Sequence, residues 1–128
     1  MPQYIQTPDA PAAIGAYSQA VKVGHTIYFS GQIPLDPNTM QLVSEDFAEQ
    51  TKQVFDNLNA VANAAGGGLE EIVKLTIYLT DLTHFPIVND IMKTYFNEPY
   101  PARTTLQVSA LPKAAQIEVE AIMVLLTA

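Results

Sequence analysis

The chain has 128 residues, enough for one domain whose core needs no disulfide or metal ion to fold. Six Lys and Arg against thirteen Asp and Glu give a formal net charge of -7, which disfavours binding to nucleic-acid backbones. The absence of cysteine excludes disulfides, thiol nucleophiles and cysteine-ligated metal sites. Without a signal-like start or an apolar run long enough for a bilayer, we expect a cytoplasmic protein with no membrane partner.

The first half of the chain predicts a β-hairpin followed by an amphipathic helix. Residues 17–23 and 26–32 are rich in β-forming side chains, and the Gly-His pair between them suits a tight turn. Residues 44–46 supply a capping side chain and acidic groups, which favour the start of a helix. Apolar side chains then recur at helical spacing over residues 47–65, and three glycines at 66–68 end the helix.

The second half predicts a strand, a helix and two more strands. Residues 72–79 alternate apolar and polar side chains, as expected of a strand inside the sheet. A polar side chain within residues 81–83 can cap a second helix. Residues 103–108 and 116–126 predict two final strands joined by a Leu-Pro turn. The expected order is ββαβαββ, a single α+β domain of residues 1–128 with two helices on one face of the sheet.

The face of the sheet without helices requires a partner. In the last strand, Ile122, Val124 and Leu126 form an apolar row opposite the row that would pack against the helices. A monomer would expose this row, and contiguous exposed apolar surface usually marks a subunit interface. We therefore expect an obligate oligomer whose sheets face inward, although the residue pattern does not give the number of subunits.

Polar groups on the same inner face form a candidate site. We expect the strand of Arg103 to neighbour that of Glu118. Alternation then places the following side chains on this face: Arg103, Thr105, Gln107, Glu118, Glu120, Tyr28, Ser30 and Gln32. Arg103 is the only arginine, and its planar guanidinium can bind a carboxylate while a glutamate orients a water. The alternative is a structural ion pair of Arg103 with Glu118 or Glu120 inside the oligomer. Spacing alone favours the ion pair, because structural pairs outnumber active sites.

Other candidate motifs predict no catalytic chemistry. His25 and His84 are the only histidines, are expected at the surface and lack ligand partners at helical spacing, so we expect no metal site. The glycine triplet lacks the spacing of a nucleotide-binding loop. Ser30 has neither a nucleophile elbow nor a histidine base, and is expected to act as a hydrogen-bonding side chain.

Several segments spread over the chain together resemble the RidA/YjgF family. They are Ala10-Pro-Ala-Ala-Ile-Gly-Ala-Tyr-Ser-Gln, Ser30-Gly-Gln-Ile-Pro, Asp56-Asn-Leu, Val73-Lys, Tyr100-Pro-Ala-Arg and Ile117-Glu-Val-Glu-Ala-Ile. The resemblance implies a chorismate-mutase-like α+β fold and a homotrimer whose three sheets enclose a barrel. It also implies active sites in the clefts between subunits, which agrees with the uncovered face.

The activity implied is that of a 2-iminobutanoate/2-iminopropanoate deaminase, which hydrolyses imines or enamines to 2-keto acids and ammonia without metal or cofactor. By this resemblance Arg103 holds the substrate carboxylate and Glu118 positions the attacking water. The resemblance also implies that five residues line the substrate pocket: Tyr17, Ser30, Gly31, Asn89 and Thr105.

Two positions depart from the family pattern. Ala16 replaces the proline usual before the tyrosine, which removes a backbone restraint next to Tyr17. Thr105 stands where many members have cysteine, so only a backbone role is carried over there.

Two other functions remain open: a trimer that senses 2-keto or short carboxylic acids without turnover, and an endoribonuclease or translation inhibitor. The ribonuclease would need a cationic surface that the charge of -7 does not suggest.

Overall fold

The computed structural model describes residues 1–126 and contains a six-stranded mixed sheet with two helices on one face. In chain order the elements are β1 (Gln3–Ile5), β2 (Ala20–Val23), β3 (Thr26–Gln32), α1 (Phe47–Ala64), β4 (Ile72–Leu79), α2 (Phe85–Tyr95), β5 (Ala102–Gln107) and β6 (Ile117–Val124). The strands lie in the order β1-β2-β3-β6-β4-β5, and only the β4–β5 pair is parallel. Within residues 1–126 no helix is long and apolar enough to cross a membrane.

Helix α1 begins where the sequence predicts and ends one residue earlier, at Ala64. The Asp46 side chain caps it by accepting a hydrogen bond from the Glu49 amide at 3.0 Å. Gly66 follows the helix at φ +95°, a conformation that side chains with a Cβ rarely adopt. Its inner face is buried on the sheet, and the large side chains of Val54, Phe55, Leu58 and Val61 are fully buried there.

Helix α2 packs beside α1 on the same face of the sheet. A 3₁₀ turn (Leu82–His84), capped by the Asp81 side chain, leads into it. The Phe55 ring of α1 contacts Tyr95 and Phe96, with ring centroids 5.4 and 5.7 Å apart. Because α2 rests against both α1 and the β5 edge, its buried face fixes the side chains that meet β5.

The core lies between the helices and one face of the sheet. In β4 the side chains of Leu75, Ile77 and Leu79 are fully buried, and they pair in register with Ala121, Val119 and Ile117 of β6. Side chains at the intervening positions of both strands point to the other face, which carries no helix. Of the predicted apolar row, Ile122 and Val124 lie on this open face, whereas Leu126 lies beyond the end of β6 and is exposed. Tyr28, beside Ile122, is 53% exposed.

Three features of the sheet differ from the sequence-based expectation. Strand β1, at the sheet edge, was not predicted, because three residues are too few for an alternation pattern. Strand β2 begins at Ala20 rather than at residue 17. The expectation that β5 neighbours β6 was wrong, since β4 lies between them and pairs with both.

Candidate functional site

Arg103 lies on the helix-covered face of β5, where α2 holds its guanidinium. Arg103 pairs in register with the buried Leu75, which places its side chain under α2. Its Nη1 donates to Asn89 Oδ1 at 2.7 Å and to Met92 Sδ at 3.3 Å, and its Cζ lies 4.8 Å from the centre of the Phe85 ring. Within residues 1–126 both hydrogen bonds use Nη1, which leaves Nε and Nη2 to bind another group.

An open cleft of about 420 Å³ lies beside this guanidinium. It is lined by Asn89, Met92, Lys93, Tyr100, Pro101 and Arg103. Burial lowers the pKa of Arg103 from its ordinary value, yet a guanidinium stays protonated at neutral pH. The cleft therefore presents a partly desolvated, oriented cation, which is suited to binding a carboxylate.

Thr105 follows Arg103 on the same face of β5. Its register partner is Ile77, a fully buried core residue. The Thr105 hydroxyl is buried and has no hydrogen-bond partner within residues 1–126. Thr105 therefore lies two residues from Arg103 on the same face, but it is not among the residues that line the cleft, and its hydroxyl is enclosed.

Glu118 lies on the open face of the sheet and packs against Gly31. It pairs in register with Tyr78, which also points to the open face. A side-chain carbon added at Gly31 would lie 2.8 Å from Glu118 Cδ and 3.0 Å from its Cγ, so any other residue there would displace this carboxylate from its position. Desolvation raises the pKa of Glu118 above its ordinary value, and the negative charge of Glu120 raises it further. A carboxyl group of raised proton affinity at this place suits proton transfer to and from water.

Glu120 is occupied by a different contact on the same face. The Tyr78 hydroxyl donates a hydrogen bond to Glu120 Oε1. This bond, with desolvation and the charge of both glutamates, raises the pKa of Tyr78 to about 12. Tyr78 thus remains a protonated donor across the physiological range, and Glu118 is the carboxylate left without a side-chain donor within residues 1–126.

Tyr17 and Gly31 line one small depression of about 30 Å³ near the end of β3. The Tyr17 hydroxyl accepts a hydrogen bond from the Ile14 amide at 3.2 Å. The buried Gln19 side chain fixes the preceding segment by donating to the Pro11 carbonyl at 2.8 Å. Ser30 donates its hydroxyl to the Ser18 carbonyl at 2.5 Å, which agrees with the hydrogen-bonding role expected of it.

The expectation that Arg103 and Glu118 share one face of the sheet was wrong. Arg103, Thr105 and Gln107 pair with core residues of β4 and lie on the helix side, whereas Glu118 and Glu120 lie on the open side. Within one chain this arrangement also excludes an ion pair of Arg103 with either glutamate. The candidate residues therefore form two groups, one around Arg103 and Asn89 and one around Glu118, Gly31 and Tyr17.

Two further expectations need correction. Gln32 is buried and not on the open face, because a register shift in β3 between Phe29 and Gln32 pairs it with the core residue Val119. His84 is half-buried, not at the surface: its ring stacks on Phe47 with centroids 4.2 Å apart. His25 is exposed as expected.

The resemblance predicted Asn89 in the pocket, but sequence reasoning missed Phe85 and Met92, which contact Arg103 together with Asn89. Phe85, Asn89 and Met92 are spaced at i, i+4 and i+7, so one face of α2 carries all three. That spacing was visible in the sequence, but it indicated only a core stripe. Among residues 1–126 there is no group of three or more His, Cys, Asp or Glu side chains that could hold a metal ion.

Comparisons with known proteins agree over nearly the whole chain. Residues 7–125 match the model of the family described as endoribonuclease L-PSP. A relative from Rattus norvegicus named 2-iminobutanoate/2-iminopropanoate deaminase is 53% identical over 120 residues, covering 94% of this chain and 88% of that protein.

Two solved structures have the same fold as this chain. The crystal structure of RidA from the Antarctic bacterium Psychrobacter sp. superposes with a TM-score of 0.94 at 51% identity, covering 96% of this chain and 99% of that one. The structure of Escherichia coli TdcF with bound serine superposes with a TM-score of 0.91 at 37% identity, covering 96% and 98%.

Proposed function

Because the chain belongs to the RidA/YjgF family, we propose that it is a 2-iminobutanoate/2-iminopropanoate deaminase, a hydrolase that needs no cofactor. The single observation that carries the proposal is the Arg103 guanidinium, fixed by Asn89 with donors to spare beside an open cleft. The name of the Rattus norvegicus relative, at 53% identity, supplies the reaction.

In the proposed reaction Arg103 binds the carboxylate of a 2-imino acid and so fixes the position of its C2 carbon. Glu118 accepts a proton from water as the water oxygen bonds to C2 of the protonated imine. Glu118 passes this proton to the nitrogen. The new hydroxyl group then gives its proton to Glu118 as the C=O bond forms and the C–N bond breaks, so that ammonia and the 2-keto acid leave, and Glu118 returns the proton to solvent. The imine is electrophilic once protonated, so placing the water and taking its proton are the tasks left to the protein.

The two groups of residues have to come from two chains in this proposal. Arg103 and Glu118 lie on opposite faces of one sheet. A homotrimer with its sheets facing inward would cover the apolar row of Ile122 and Val124 and bring Glu118 of one chain to the Arg103 cleft of the next. Tyr17, Ser30 and Gly31 would enter the site with Glu118, and Asn89 and Thr105 with Arg103. The proposal retains the cytosolic location expected from the sequence.

A second candidate is a trimer that binds small carboxylic acids without turnover. The E. coli TdcF structure, which holds serine, supports it, since serine also carries a carboxylate that a guanidinium can bind. In that case Arg103 would be required for binding, and Glu118 would have no chemical role. The endoribonuclease named by the family model has less support, because this chain has a net charge of -7.

The test is to generate 2-iminobutanoate or 2-iminopropanoate in situ and to compare ammonia release with and without the protein. We expect faster release with the parent protein and none above buffer with Glu118→Gln. Equal rates with and without the parent protein would refute the deaminase and leave the sensor.

A further inference from the structure

The Arg103 cleft contains a second cation in a protein that is otherwise acidic. The chain has six Lys and Arg against thirteen Asp and Glu. Two of the six cations, Lys93 and Arg103, line this one cleft, and none of its six lining residues is acidic. Positive charge is therefore concentrated where the proposed substrate binds, which attracts anions to this place on the surface.

Helix α2 directs both cations to the same cleft, since it carries Lys93 and holds Arg103 through Asn89. Lys93 follows Asn89 by four residues, so the two side chains lie one turn apart on the same face of the helix. Asn89 in turn holds the Arg103 guanidinium at 2.7 Å. The Lys93 ammonium, on a flexible stem, can reach a group that extends several ångströms beyond one bound by Arg103. Met92 and Pro101, in the wall of the cleft, provide apolar contact for the carbons between two such groups.

We propose that the cleft favours 2-imino acids with a second carboxylate, which Lys93 binds while Arg103 binds the carboxylate next to the imine. This inference rests on the proposed function for the reaction, and it adds the substrate class. Hydrolysis follows the same balance as before: water adds at C2, ammonia leaves, and a 2-keto dicarboxylic acid is released.

Binding of stable product analogues tests the substrate class separately from turnover. The probes are 2-oxoglutarate, which has the second carboxylate, and 2-oxobutanoate, which lacks it, titrated calorimetrically at low salt. We expect 2-oxoglutarate to bind about two- to fivefold more tightly, the range for one solvent-exposed ion pair, and the preference to shrink as salt is added. Lys93→Met should remove the preference and Lys93→Arg should keep it. Lys52→Met, which removes an exposed cation of α1 outside the cleft, should also keep it.

Equal affinity of the parent protein for the two acids, or a preference that survives Lys93→Met, would overturn the inference. Turnover of 2-iminoglutarate and 2-iminobutanoate, each made in situ by an amino-acid oxidase, then separates the two proposals. Acceleration of both at equal kcat/KM refutes the dicarboxylate preference and leaves the deaminase. Acceleration of neither refutes the deaminase, while the titrations still decide what the cleft binds.

Discussion

Replacing Gly31 with alanine should disable the reaction without unfolding the protein. The added carbon would overlap Glu118 Oε2 and lie 2.8 and 3.0 Å from its Cδ and Cγ. Carbon atoms in contact prefer separations of about 3.5 Å or more, so the carboxyl group has to move by roughly 0.5 to 1 Å. A misplacement of about 1 Å lowers catalytic rates on the order of 100-fold. Because a carboxyl group at the end of a flexible side chain moves easily, the fold should survive. Since Glu118 acts on the water and Arg103 binds the substrate, we expect kcat to fall far more than KM changes.

The assay is steady-state ammonia release from 2-iminobutanoate, together with a thermal melt of each variant. Gly68→Ala is a matched control, since a carbon added there lies 2.9 Å from Cδ of the exposed Glu70, away from both groups of site residues. That variant should keep the parent kcat and a similar Tm. A folded Gly31→Ala protein with the parent kcat would show that the position of Glu118 does not matter, and that another group orients the water.

Four further variants at three positions probe the same reasoning. Arg103→Ala and Arg103→Lys should keep the fold but lower kcat/KM about 30-fold or more, since losing one partner of a guanidinium–carboxylate pair costs roughly 2 to 5 kcal/mol. A severe loss of stability with undiminished turnover would instead support a structural ion pair of Arg103 between subunits. Glu118→Gln should stabilise the fold at neutral pH. The pKa of Glu118 is raised in the folded state above its ordinary value of 4.5. The parent protein therefore loses stability as the pH rises from about 4.5 through the raised pKa. Thermal melts from pH 4 to 8 should show this loss in the parent protein and not in the variant. Val124→Asp would bury an unpaired charge, so sedimentation should show that the proposed oligomer dissociates or unfolds. An unchanged trimer would place Val124 outside the interface.

The helices were predictable because their patterns are long. The predicted α1, residues 47–65, differs from the observed Phe47–Ala64 by one residue, since five turns of apolar periodicity and a glycine stop agree with one another. Strand β1 lacked such a signal: its three residues form a strand because β2 offers an open edge, which is a tertiary effect.

The face of β5 could not be predicted from its own residues. Alternation separates Arg103 and Thr105 from their neighbours, but it does not say which set faces the helices, since both sets contain polar side chains. As an edge strand, β5 has a core face open enough to carry an arginine, whereas the inner β4 buries only apolar groups there. The pairing order of the strands, set by long-range contacts, then decides which strands neighbour each other. Residue identities in the site could thus be proposed from the sequence, but their division between two faces could not.

The position of Arg103 and Glu118 on opposite faces has a genetic consequence. Under the proposed function, the variants Arg103→Ala and Glu118→Gln should each be inactive alone, and each retains the group of residues that the other lacks. If they are unfolded and refolded together, some interfaces of the mixed assembly join an intact guanidinium to an intact carboxylate. In a random mixture of equal amounts, half of the chains carry the intact guanidinium and half the intact carboxylate. About a quarter of the interfaces then have both, so about a quarter of the parent activity should return. Two alleles that each fail alone would then complement one another in the same cell.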